Sequence, residues 1–166
     1  MTLPVRAALG LGSNVGDRQS HLTNALAILR AAPEVVVVEV SPFVETDTVG
    51  GPDQPDFLNA VVVVETTLPP DALLALAHQC ERAAGREREE RWGPRTLDVD
   101  VLAYADVVSD DPELTLPHPR ATERAFVLVP WSAVDPAFVV AGRSVADWAA
   151  AVDTSGVRPF VQARGA

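Results

Sequence analysis

The stretch Thr96-Leu97-Asp98-Val99-Asp100-Val101 alternates polar and apolar residues. Period-two alternation signals a strand, and residues two apart on a strand share a face. Asp98 and Asp100 therefore point together, while Leu97, Val99 and Val101 point into a core. Two adjacent carboxylates repel unless a cation lies between them. Mg2+ suits such a pair, because it takes one or two carboxylates together with phosphate oxygens. The alternative is the wet face of an amphipathic strand, and a D-x-D alone does not choose between them.

Five arginines, Arg82, Arg86, Arg88, Arg91 and Arg95, stand just before this pair. Against Glu87, Glu89 and Glu90 they leave that window at +2, in a chain whose net charge is −10. All thirteen basic residues are arginine. A local cationic patch on an anionic protein is either an anion site or a solvated helix end. The planar guanidinium fork suits phosphate oxygens, and forks beside a dicarboxylate are what an ATP–Mg2+ complex requires. His118 lies in Leu116-Pro117-His118-Pro119, where flanking prolines hold it extended. It reads as a phosphate donor or as a plain turn residue. Phe57, Trp92 and Phe126 stand next to loops and could hold a flat heterocycle, or simply pack the core. Asn59 shares a strand face with Phe57 and could read a ring edge with its donor and acceptor. His21 and His78 read as helix-face residues.

These side chains need a scaffold. Val5 to Leu11 reads as a strand, and Asp17 caps a helix running to about Ala32. Val35 to Val40 and Phe57 to Thr66 read as strands, with a Gly- and Pro-rich loop over 46–55 between them. Pro69 and Pro70 open a helix that Gly85 ends. After the arginine-rich loop come a strand from Thr96 to Tyr104, a short return strand from Val107, and a Pro-bounded turn from Leu114 to Arg120. Short helices follow over Arg124 to Trp131 and Ser144 to Val152. The order β-α-β-β-α-β is the ferredoxin-like α+β plan, an antiparallel sheet with helices packed on it. One domain over 1–153 with a loosely held tail over 154–166 is expected. The run Gly10-Leu11-Gly12-Ser13-Asn14-Val15-Gly16 matches a dinucleotide fingerprint poorly and reads as a tight strand-to-helix turn. Without lysine there is no P-loop.

Bulk properties narrow the classes. A chain of 166 residues suits a single domain. The acidic charge opposes general nucleic-acid binding. The lone Cys80 excludes an internal disulfide and fits a reducing compartment. No run approaches the length of a membrane span. A cytoplasmic monomer, with no nucleic-acid or membrane partner, is expected.

Five segments stand in order: Leu9-Gly10-Leu11-Gly12-Ser13-Asn14, Asp53-Gln54-Pro55-Asp56-Phe57-Leu58-Asn59-Ala60, Arg91-Trp92-Gly93-Pro94-Arg95-Thr96-Leu97-Asp98-Val99-Asp100, Leu116-Pro117-His118-Pro119 and Arg124-Ala125-Phe126-Val127-Leu128. Together they resemble the 6-hydroxymethyl-7,8-dihydropterin pyrophosphokinase family. The resemblance implies transfer of diphosphate from ATP to a dihydropterin, with AMP released, in folate biosynthesis. It implies two Mg2+ ions held by Asp98 and Asp100, with Arg86 and Arg95 joining them as catalytic residues. It assigns Glu81, Arg86, Arg88, Arg95, Thr115, His118 and Arg124 to ATP. It assigns Phe57 and Phe126 to stacking on the pterin, Asn59 and the backbone near Thr46 and Val49 to its edge, and Trp92 to sealing the site. Phe57 stands where a tyrosine is common, which keeps the stacking surface and removes a hydroxyl. Two readings compete: an inactive nucleotide-binding domain, and an RNA-binding ferredoxin-like module. A dinucleotide-dependent oxidoreductase rests only on the imperfect glycine run.

Overall fold

The computed structural model describes residues 3–46, 56–85 and 96–160. Strand β1 (Val5–Ser13) leads into helix α1 (Arg18–Ala31). Gly16, at φ 69°, makes the turn between them. The side chain of Asp17 caps α1 by accepting the Ser20 N–H at 3.1 Å. The Ser20 hydroxyl, which donates to the Asp17 carboxyl at 2.8 Å, and then this N–H hold that carboxyl below its ordinary pKa. Strands β2 (Val35–Val40), β3 (Val44–Thr46) and β4 (Phe57–Thr66) follow. Helix α2 (Pro70–Ala83) begins on a proline, whose missing N–H costs nothing in a first turn, and Gly85 ends it at φ 76°.

Strand β5 (Asp98–Tyr104) completes the core of the sheet, and β6 (Ser109–Asp111) and β7 (Leu114–Leu116) form a separate hairpin. Helix α3 (Ala125–Val134) is followed by the short pair β8 (Val139–Val140) and β9 (Arg143–Ser144), helix α4 (Val145–Ala151) and strand β10 (Val157–Pro159).

The main sheet is antiparallel. Strand β1 is central, between β4 and β5, and both β2 and β3 pair with β4 on its far side. The order β2-β4-β1-β5 is the ferredoxin-like arrangement expected from the sequence. Ser41 sits between β2 and β3 and bridges them to β4: its hydroxyl accepts the Val61 N–H at 2.9 Å.

The sheet is covered on both faces, which explains why Val61 to Val64 form an unbroken apolar run instead of alternating. One face packs Leu9, Leu11, Val62, Val64, Val99 and Val101 against Leu22, Leu26 and Leu29 of α1 and Leu73, Ala77 and Cys80 of α2. The other packs Ala8, Val61 and Leu102 against Val127, Leu128 and Trp131 of α3 and Val145 at the start of α4. On the second face the ends of β1, β4 and β5, at Gly10, Gly12, Asn59, Asp98 and Asp100, line a cavity and do not join this cluster.

Three expectations change. Gly10 and Gly12 lie inside β1, so the glycine run is mostly strand and only Gly16 makes the turn. The segment from Leu114 begins as a strand paired with β6 before it turns. Within the stretch read as a loosely held tail, Val157–Pro159 pairs with β3, and the Phe160 N–H donates to the Phe43 carbonyl at 3.0 Å. Strands of three residues are too short to show a period in the sequence.

Candidate active site

Asp98 lies opposite Gly12 and Asp100 opposite Gly10 in the β1–β5 ladder. Both carboxylates therefore rise from a part of the sheet whose neighbouring strand offers no side chain. A Cβ on Gly12 would stand 2.7 Å from the Asn59 Oδ1, so that position admits only glycine while Asn59 keeps its place. Asn59 is buried, and its side-chain amide donates to the Thr46 Oγ1 at 3.2 Å. Thr46, Phe57 and Asn59 share this face through the register of β3 on β4.

Two cavities meet at the carboxylate pair. The larger, about 500 Å3, has Gly10 and Gly12 in its floor and is lined by Thr46, Phe57, Asn59, Leu102, Arg124 and Phe126, with Asp153, Gly156 and Val157 on its C-terminal side. The smaller, about 320 Å3, is lined by Leu74, His78, Glu81, the segment from Pro112 to Thr115, His118 and Pro119. Asp98 and Asp100 line both.

Each cavity has a distinct chemistry. The larger offers two aromatic rings, a buried amide and a hydroxyl, which suits a flat heterocycle with polar edges. The Arg124 guanidinium lies 5.5 Å from the centre of the Phe126 ring and braces it. The smaller cavity is more polar. Its Glu81 is buried on α2 and accepts the backbone N–H of Val99 at 2.9 Å, between the two aspartates. Thr115 donates to the Asp111 carbonyl at 3.0 Å.

His118 follows a cis Leu116–Pro117 bond, and its backbone N–H donates to the Leu102 carbonyl at 2.8 Å. Its Nδ1 accepts the Arg120 N–H at 3.2 Å, which leaves Nε2 to carry the proton of a neutral ring. Burial lowers the His118 pKa below the ordinary imidazole value; Asp100 opposes that shift, and Arg124 and Arg120 add to it.

Among the described residues no group of three or more His, Cys, Asp and Glu is placed to hold a metal ion. The pair Asp98 and Asp100 fits a hard cation that keeps most of its coordination sphere for water and phosphate oxygens, as Mg2+ does.

The structure thus brings Thr46, Phe57, Asn59, Phe126, Asp98 and Asp100 together, and places Glu81, Thr115 and His118 around the adjoining cavity. Arg124, expected at the nucleotide, lines the larger cavity. Arg86, Arg88, Arg95, Val49 and Trp92 lie outside the described residues. Sequence reasoning missed Gly10 and Gly12 as floor and Asp153, Gly156 and Val157 as a wall, and it read His78, which lines the smaller cavity, as a helix-face residue. Only the glycines left a signal, in their spacing of two.

Residues 8–136 match the model of the 7,8-dihydro-6-hydroxymethylpterin-pyrophosphokinase family, HPPK. The chain belongs to this family. It is similar to a 2-amino-4-hydroxy-6-hydroxymethyldihydropteridine pyrophosphokinase of Methylorubrum extorquens, 46% identical over 152 residues that cover 92% of this chain and 96% of the relative. The protein of the same name from Bacillus subtilis is 48% identical over 124 residues, covering 75% of this chain and 74% of its own. Among solved structures, wild-type HPPK-DHPS of Plasmodium falciparum shares the fold, with a TM-score of 0.67 at 13% identity. The match covers 90% of this chain and 41% of that longer one. The HPPK family match covers both carboxylates, Phe57, Asn59, Glu81, His118 and Phe126, and stops before the wall formed by Asp153, Gly156 and Val157.

Proposed function

We infer that this chain transfers the terminal diphosphate of ATP to the hydroxymethyl group of 6-hydroxymethyl-7,8-dihydropterin, releasing AMP and the dihydropterin diphosphate, a step of folate biosynthesis. One observation carries the reading: a dicarboxylate is the common wall of an aromatic cavity and a polar one. A two-substrate transfer needs its donor and acceptor sites to meet where the charge is handled.

The pterin lies in the larger cavity, stacked on Phe57 and Phe126. Asn59 and the backbone at Thr46 and Val49 read its edge, and Trp92 closes over it. ATP lies in the smaller cavity beside Glu81 and Thr115, with Arg86, Arg88 and Arg95 on its phosphates. The pterin hydroxyl oxygen attacks the β-phosphorus in line, and the bond from that phosphorus to the AMP oxygen breaks. No protein atom needs to form a covalent bond, so alignment and charge neutralisation account for the catalysis. His118 donates from Nε2 to a phosphate oxygen as a neutral ring.

Asp98 and Asp100 would hold two Mg2+ ions, which when bound neutralise the triphosphate and acidify the attacking hydroxyl. Arg124, which lines the larger cavity and whose charge lowers the His118 pKa, would contact the ATP phosphates from the acceptor side.

A monomer in the cytoplasm is the form in which we place this activity. The single, buried Cys80 fits a reducing compartment. Among the described residues no helix is long and apolar enough to cross a membrane.

The test is AMP release from ATP and the dihydropterin, with and without EDTA. Pterin-dependent, EDTA-sensitive AMP formation is expected. ATP binding without AMP formation would sink the reading and leave a nucleotide-binding domain in its place.

A further inference from the structure

Arg18, the first residue of α1, makes contacts that none of the chemistry above uses. Its guanidinium donates through Nη1 to the Glu45 Oε2 at 2.9 Å and to the Asp56 carbonyl oxygen at 2.8 Å. It also lies 5.9 Å from the centre of the Phe160 ring. Glu45 immediately precedes Thr46, and Asp56 immediately precedes Phe57. One side chain thus ties together the two backbone points from which Thr46 and Phe57 enter the larger cavity.

The geometry points to Arg18 as a positioning residue for the acceptor site, an assignment that rests on the function proposed above. Glu45 pairs with Leu58 in the ladder, so both face away from the cavity. Arg18 therefore acts from behind the sheet, through backbone, and touches no cavity atom itself. Among the described residues strand β3 spans Val44–Thr46 and is held between β4 and β10, and the Arg18 contacts add to that pairing.

A second arginine converges on the same segment: Arg158 of β10, the ladder partner of Glu45, pairs with the Asp56 carboxylate. The Arg18 and Glu45 side chains are 23% and 21% exposed, so water screens their pairing less than it screens an open surface pair. Arg18 is itself fixed at its base, because its backbone N–H donates to the Gly16 carbonyl at 3.1 Å and Asp17 caps the helix it begins.

Both hydrogen bonds leave the one Nη1 nitrogen, whose two N–H directions are fixed in the guanidinium plane, whereas a lysine ammonium rotates freely. Thr46 and Phe57 are direct partners in the β3–β4 ladder, and Arg18 locks the end of that pairing, and with it the fit of a flat ring between Phe57, Phe126 and the Asn59 amide that donates to Thr46.

The experiment compares Arg18→Ala, Arg18→Lys and Glu45→Gln with the parent chain. It reads the Kd of 6-hydroxymethylpterin by its fluorescence, with Mg2+ and a non-hydrolysable ATP analogue present. It also reads the Kd of that analogue alone, kcat, and the KM for the dihydropterin. Losing one charge-assisted clamp should raise the pterin Kd and KM by about tenfold. The analogue Kd should stay within about twofold of the parent, since the smaller cavity is built from α2, β5 and the β6–β7 hairpin. Arg18→Lys should fall between, and Glu45→Gln should repeat part of the loss in a chain that keeps Arg18.

Equal weakening of pterin and nucleotide binding, or an unmoved pterin Kd in both Arg18→Ala and Glu45→Gln, would overturn the assignment. Should Arg18→Ala not fold, Arg18→Lys and Glu45→Gln decide the matter by the same split. A parent chain that binds pterin and releases AMP while the variants match it sinks Arg18 alone. A parent that binds no pterin sinks both readings.

Discussion

The Glu81 carboxylate accepts the Val99 backbone N–H at 2.9 Å, and so holds the strand edge midway between Asp98 and Asp100. Among the described residues strand β5 pairs only with β1, which leaves its outer N–H groups to find other partners. Replacing Glu81 by Ala strands the Val99 N–H in a buried site, which should cost about 1–3 kcal/mol of stability. Glu81→Gln keeps an acceptor and should lose less. Both are read by urea unfolding, and equal stability of Glu81→Ala and the parent would remove this role. Because the clamp sits between the two aspartates, Glu81→Ala should also lower kcat beyond any loss of folded protein.

Gly12 allows Asn59 its position, so Gly12→Ala is a probe of the acceptor side alone. The added methyl would stand 2.7 Å from the Asn59 Oδ1, and the amide must move. Displacing it should weaken pterin binding by about tenfold or more, the scale of one lost hydrogen bond. Nucleotide binding should hardly change. Isothermal titration with each ligand separates the two, and unchanged pterin affinity would mean that Asn59 does not read the ring.

Much of this site is legible in the sequence, and the reason is periodicity. Asp98 and Asp100 share a face because a strand repeats every two residues, and the same rule joins Phe57 to Asn59. The cap at Asp17, the proline start of α2 and its glycine stop are local signals that the structure repeats. What escaped the sequence depends on contacts between distant segments. Gly10 and Gly12 look like a turn until β4 and β5 are laid beside them. Val157 becomes a cavity wall only because β10 docks on β3, a pairing of two three-residue strands with no period to read. The resemblance assigns Arg124 to ATP; in the structure its guanidinium stands over the Phe126 ring and it lines the larger cavity.

Asp100 should separate activity from stability. Its carboxylate is half-buried beside that of Asp98, and like charges on one strand face repel. Asp100→Ala should therefore leave thermal stability unchanged or slightly raised in the absence of Mg2+. The same change should lower kcat by about two to three orders of magnitude, the scale of a lost electrostatic stabiliser. The Mg2+ concentration for half-maximal activity should rise as well. A fully active Asp100→Ala chain would remove the metal assignment, and a large loss of Tm would show that the carboxylate is structural.

Cys80 gives a prediction in pH. It lies on the buried face of α2, with its Sγ 3.9 Å from the Ala25 carbonyl oxygen. Burial first, and the Glu81 carboxylate second, push its thiol pKa up to about 11 from 9.0. At pH 8 the native thiol stays protonated and covered, so iodoacetamide should label it far more slowly than in urea. The folded pKa lies above the unfolded one, so the folded state holds the proton more tightly. The stability linked to this group is complete below pH 9 and is lost as pH rises toward 11. At pH 10 the loss should be about 1 kcal/mol relative to pH 8. Urea melts of the parent and of Cys80→Ala at both pH values isolate that share, because the variant lacks the titrating group. An identical drop in the two chains would mean that Cys80 carries none of it.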